Sequence, residues 1–226
     1  MRSIWICWVF VVLSCLSLEA KKFLGPTELA HQTFEELSIF GPAKLHQIHA
    51  DKISVVGPVD FSQLEVGQEF SAVGPVCGLG GRAEVVDITG PVDLKRFLCH
   101  NLIVTGPVQL NRVRVYCGST FIGSVEAKLC RFESMVVTCN YCKFEDVEAS
   151  DITFKKTHAK EPIRLELTGH CVIHGKIIFE SGNGLVVIGE GRSELEGAIE
   201  GAKVIKMQVN PETSSSVQDS LQKYEG

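Results

Sequence analysis

Cys139 and Cys142 form a Cys-x-x-Cys. That spacing suits a dithiol redox pair or half of a metal site, because a thiolate is both a nucleophile and a soft ligand. His170-Cys171-x-x-His174 sets three candidate ligands within five residues. Six cations, Lys95, Arg96, Arg112, Arg114, Lys128 and Arg131, form a third group. Gathered on one side, they could meet an anionic glycan, a lipid headgroup or an acidic protein. What each group can do depends on the elements that hold it.

Those elements come from a repeat. A Gly-Pro pair returns at Gly25-Pro26, Gly41-Pro42, Gly57-Pro58, Gly74-Pro75, Gly90-Pro91 and Gly106-Pro107, at intervals of 16, 16, 17, 16 and 16. Two further steps of 17 reach Gly123 and Asn140, and asparagine accepts positive φ more readily than most residues. With each glycine counted as zero, apolar residues fall at −4, −2, +2, +4, +7 and +9. Around Gly106 these are Leu102, Val104, Val108, Leu110, Val113 and Val115. Three pairs, each two residues apart, predict three short strands per turn, every pair showing one face inward. The fold class is therefore all-β: a parallel β-helix, or β-solenoid, with coils of about 16–17 residues. Proline suits the corner because it fixes φ and needs no ladder hydrogen bond.

The frame blurs twice. Gly78, Gly80 and Gly81 predict a bulge or a loosened coil. Lys155 to Pro162 reads as a polar insertion, followed by strand-like runs at Ile163 to Leu167, Cys171 to Phe179 and Leu185 to Ile188.

Placed in this frame, the chemistry-bearing residues separate. Cys142 falls at an inward position and Cys139 at −1, nominally outward, so their side chains are expected to diverge. Cys99 and Cys130 also point inward, where cysteine acts as a small apolar residue. Strand alternation puts His170 and His174 on one face and Cys171 on the other, two ligands short of a structural zinc site. No metal site and no cofactor are expected. The six cations sit at +5, +6 or +8 of three successive coils, near one corner, with Glu126 and Glu133 as neutralising neighbours. Position −1 carries Leu24, Phe40, Val56, Val73, Thr89, Thr105 and Ile122. Stacked coils align these into a ridge, apolar over its N-terminal half, that either faces solvent as a contact surface or tucks inward at the corner.

This triangular coil of short Val/Ile/Leu-rich repeats punctuated by glycine resembles the bactofilin-type polymer-forming proteins, over about residues 23 to 206. The resemblance implies a rod that self-associates. The chain differs from that pattern in its leader and in its Gly-Pro corners. Enzymatic solenoids fit less well. Hexapeptide acyltransferases build coils of three hexapeptides, against a step of 16 or 17 here. Polysaccharide-cleaving β-helices need long loops that these coils leave no room for.

Residues 1–20 have the form of a secretory signal, with Arg2 ahead of an apolar run from Ile4 to Leu13 that is short for a bilayer span. Cleavage after Ala20 fits, and so does acylation at Cys15, since Val12-Leu13-Ser14-Cys15 resembles a lipoprotein lipobox. Export to the periplasm, the outer membrane or the exterior follows, with membrane attachment only through Cys15. Cys7 and Cys15 lie in the leader, leaving seven cysteines of nine, an odd number that cannot all pair internally. The 226-residue chain is 45% hydrophobic with net charge −5. That balance supports one folded unit and no general attraction to nucleic acid. Residues 21–206 form the expected solenoid, and 207–226, with Pro211 and Ser214 to Ser216, a flexible tail. The function expected is a non-enzymatic envelope scaffold. The alternative is a surface binding module for an anionic glycan or protein partner.

Overall fold

The computed structural model describes residues 20–157 and 161–207. The leader with Cys15 and nearly all of the tail lie outside the described residues. Among these, the chain forms an all-parallel β-solenoid of about 11 turns, on the order of 50 Å long at ~4.8 Å per coil. Strands run from Lys21–Leu24 to Ala202–Lys206. Strand Thr27–Phe40 pairs in parallel with Ala43–Val56, which pairs with Val59–Val73, then Val76–Thr89, then Val92–Thr105.

Period-two alternation fills the interior. In Ala43–Val56 the buried residues are Ala43, Leu45, Ile48, Ala50, Ile53 and Val55, which are the inward positions +2, +4, +7, +9, +12 and +14 counted from Gly41. The same columns bury Phe34, Phe70, Phe97, Phe121, Phe132, Phe144 and Phe154. Each full burial of this kind stabilises by about 1.5–3 kcal/mol.

Three corners shape each coil. At the first, glycines stack directly on one another. A Cβ on Gly41 would lie 2.6 Å from the carbonyl oxygen of Gly25, and one on Gly106 2.4 Å from that of Gly90. This spine requires glycine for close approach as well as for its φ of +137° to +145° from Gly41 to Gly123. The following proline uses only its carbonyl, as where Val59 N–H donates to Pro75 O at 2.8 Å. The second corner, six residues on, turns through left-handed backbone at His31, Gln47, Gln63, Gly80, Arg96, Arg112, Leu129 and Asp146. The ladder runs through it, so one strand spans most of each of the first full coils.

Two local expectations are corrected. The glycines at 78, 80 and 81 do not loosen their coil, since strand Val76–Thr89 runs straight through them. Gly80 takes the second corner (φ +72°), and Gly78 leaves room for Phe61, whose ring tip would meet a Cβ there at 2.2 Å. Asn140 does not continue the glycine spine. Thr138 pairs with Ile122, but Cys142 pairs with Val125. The extra residue of that step therefore falls at the corner itself, and Cys139 occupies the glycine position. Beyond it the coils lengthen: Tyr141 pairs with Arg164, and Ile163 with Gly184. The run from Cys171 to Phe179 splits into Val172–Ile173 and Ile177–Phe179.

Candidate functional site

The stacking converts sequence steps of 16 or 17 into neighbours, and it divides the six cations. Lys95 and Lys128 project from the +5 column on one side of the second corner. Arg114 and Arg131 project from the +8 column on the other, and Arg96 and Arg112 stand on the corner itself. Left-handed backbone there throws both arginines outward, and both are exposed. Three cations are neutralised, though not by Glu126 or Glu133: Lys95 pairs with Asp93 at 3.0 Å, Lys128 with Glu145 at 2.5 Å and Arg131 with Glu148 at 3.2 Å. Exposed pairs of this kind contribute about 0–1 kcal/mol each. The guanidinium of Arg114 lies over the Tyr116 ring, 5.9 Å from its centroid. Arg96 and Arg112 have no ion-pair partner among the described residues. The positive feature that remains is thus Arg96 and Arg112, stacked on the corner, with Arg114 in the +8 column beside them. Arg112, Arg114 and Arg131 also line a recess of about 740 Å³ with Asp146, His170 and His174.

The histidines are held by neighbouring coils. His170 donates its backbone N–H to Asp146 Oδ1 (2.8 Å) and its Nδ1–H to the Arg192 carbonyl at 2.9 Å. His174 lies 2.9 Å from Glu196 and 3.4 Å from Glu148. The Glu196 hydrogen bond, seconded by Glu148, raises its pKa above the usual 6.5. Cys171 faces the interior, as alternation requires. No cluster of three or more metal-ligating side chains occurs among the described residues.

The −1 column faces solvent. Leu24, Phe40, Val56, Val73 and Ile122 are each between 44% and 79% exposed, with exposed Thr89 and Thr105 interrupting between the last two. The tucked alternative fails because the ladder continues to −1: Phe40 pairs with Val56 and Val56 with Val73. Alternation then fixes their side chains outward beside the buried −2 column. Lys22 Nζ lies 4.7 Å from the centroid of Phe40, flanking the ridge with charge.

The thiol pair overturns its expectation. Cys139 and Cys142 do not diverge: both are buried, and their sulfurs lie 3.2 Å apart. The corner insertion frees Cys139 from the strand alternation that would have turned it outward. Burial pushes the Cys99 and Cys130 thiols up to about 12 and about 11. Cys142 is raised as well, chiefly by its hydrogen bond with Cys139, whereas that same bond lowers Cys139.

Sequence reasoning missed a groove of about 450 Å³ on the +8 and +10 face. His49, Glu65 and Arg82 ladder along it, with Glu65 2.9 Å from His49 and 3.2 Å from Arg82. Leu98, His100 and Tyr116 continue the wall, the last two rings 5.6 Å apart. Outward columns read down successive coils would have exposed this set.

The fold defines the chain as a parallel β-solenoid repeat protein. No protein-family model matches the chain, and neither a curated protein nor a solved structure was found similar to it.

Proposed function

We propose that this is an exported, non-enzymatic rod that acts as a structural or assembly scaffold of the cell envelope, self-associating as bactofilin-type solenoids do. The observation carrying this reading is the ridge of Leu24, Phe40, Val56 and Val73. It is a row of large apolar side chains turned to water on adjacent coils, and a contiguous exposed apolar row marks a contact surface. Export rests on the leader, and the compartment is the periplasm, the outer membrane through acylated Cys15, or the exterior. Mass measurement of the mature N-terminus distinguishes acylated Cys15 from free Lys21.

The test of the scaffold is sedimentation of the mature protein across a concentration series. Wild type self-associates, and Phe40→Asp with Val56→Asp yields a folded monomer. A wild type that stays monomeric at high concentration removes the scaffold reading. A second reading, a binding module for an anionic glycan or acidic protein, is favoured by the unpaired Arg96 and Arg112 beside Arg114. It requires binding to a sulfated glycan that weakens with salt and falls on Arg96→Ala with Arg112→Ala.

A further inference from the structure

We propose that Cys139 and Cys142 are a reversible dithiol/disulfide site, closed by exchange with a low-molecular-weight disulfide. The repeat itself singles out the place. From Gly25 to Gly123 every first corner is a glycine. At the next coil that position is taken by Cys139, with Asn140 inserted after it, and the ladder to the preceding coil is interrupted between Thr138 and Cys142. The interruption lets Cys139 turn inward until its sulfur stands 3.2 Å from that of Cys142. Closing to a disulfide bond of about 2.05 Å needs roughly 1 Å of further sulfur movement, at a bend free of ladder pairing to the preceding coil.

The other described cysteines are differently placed. Cys99, Cys130 and Cys171 are buried singly among apolar neighbours, and Cys77 and Cys117 are single and exposed. The chemical roles within the pair follow from position. Cys139 keeps an opening to solvent at the corner, 7% of its surface, whereas Cys142 is sealed at 0%. The hydrogen bond between the two sulfurs lowers the Cys139 thiol and raises that of Cys142, which favours the thiolate at Cys139. That thiolate attacks one sulfur of the external disulfide, forming a mixed disulfide and releasing one thiolate. Cys142 then gives its proton to the thiolate just released and attacks the Cys139 sulfur, expelling the second thiolate, which takes up a proton from solvent to replace the one Cys139 gave up. Two electrons leave the protein pair, and the external disulfide becomes two thiols.

The test incubates native full-length mature chain with cystamine, quenches with acid, denatures, alkylates and digests with trypsin. The peptide 132–143, bounded by Arg131 and Lys143, contains Cys139 and Cys142 and no other cysteine. It should appear two hydrogens lighter, unalkylated, and take up two alkyl groups once dithiothreitol is added. In Cys142→Ser the exchange should stop at a mixed disulfide between Cys139 and cysteamine. In Cys139→Ser, Cys142 should remain a free thiol. Recovery of wild-type peptide 132–143 with both cysteines alkylated overturns the proposal, without needing either variant to fold. Capture of Cys142 by cysteamine in folded Cys139→Ser overturns the assignment of Cys139 as the attacking sulfur.

Discussion

Replacing Gly106 with alanine tests the glycine spine, because the structure separates two costs that glycine avoids there. The first is conformational: at φ +145° an L side chain is strained by about 1–3 kcal/mol. The second is contact. The new Cβ would sit 2.4 Å from the oxygen and 2.7 Å from the carbon of Gly90. Both atoms are backbone, held by the Gly90 N–H bond to Thr105 O at 2.8 Å, so no rotamer change relieves them and overpacking adds about 1–3 kcal/mol. The total is about 4 kcal/mol. Gly80→Ala is the control. Its φ is +72° and nothing lies within 4 Å of its Cβ, so only the left-handed cost of about 1–2 kcal/mol applies. Urea unfolding followed by circular dichroism gives both losses. Amide exchange at Gly90 and Gly106 reports whether coils separate locally, which matters because a solenoid can open coil by coil. Equal losses for the two substitutions would refute direct stacking of the glycines and leave only their φ.

Three further outcomes follow from the packing. Gly78→Ala places a Cβ 2.2 Å from Phe61 Cζ and 2.7 Å from Leu94 Cδ2. It should cost about 1–3 kcal/mol, and Phe61→Leu in the same chain should recover most of it in a double-mutant cycle. A bulky thiol reagent should label exposed Cys77 and Cys117 at once in the folded protein and spare Cys99, Cys130 and Cys171; early labelling of those three contradicts the inward columns. Because the folded pKa of His174 is raised above 6.5, its contribution to stability is complete below that value and is lost as pH rises through the folded pKa. The stability difference between wild type and His174→Gln should therefore shrink on the alkaline side, and a difference that grows with pH rules out the Glu196 and Glu148 pairing.

Much of the architecture was written in local pattern. The Gly-Pro step and the paired apolar positions need only two facts, that strand side chains alternate and that φ near +140° excludes a side chain. From these the coil length, the inward columns, the parallel ladder and the burial of Cys99, Cys130 and Cys142 follow. The alignment of the apolar −1 row was legible for the same reason, since a fixed step turns sequence position into a surface column.

The remainder depended on where coils touch. A step of 17 says that one residue is extra but not which corner holds it. It falls near Gly67 between Val59–Val73 and its neighbours, yet at Cys139-Asn140 in the later step, and that choice alone decides whether the two thiols meet. The second corner has no residue signature, because His31, Gln47, Arg96, Leu129 and Asp146 all adopt the left-handed turn. It is imposed by the ladder on either side rather than by their own preference. Whether Arg131 or Arg112 carries a free charge was likewise beyond the sequence, since the partner is set by side-chain reach to the next coil, where Glu148 meets Arg131 and no carboxylate among the described residues pairs with Arg112. Alternation and glycine geometry act within a few bonds and are therefore visible along the chain, whereas insertion sites and ion pairs are settled only when one coil rests on another.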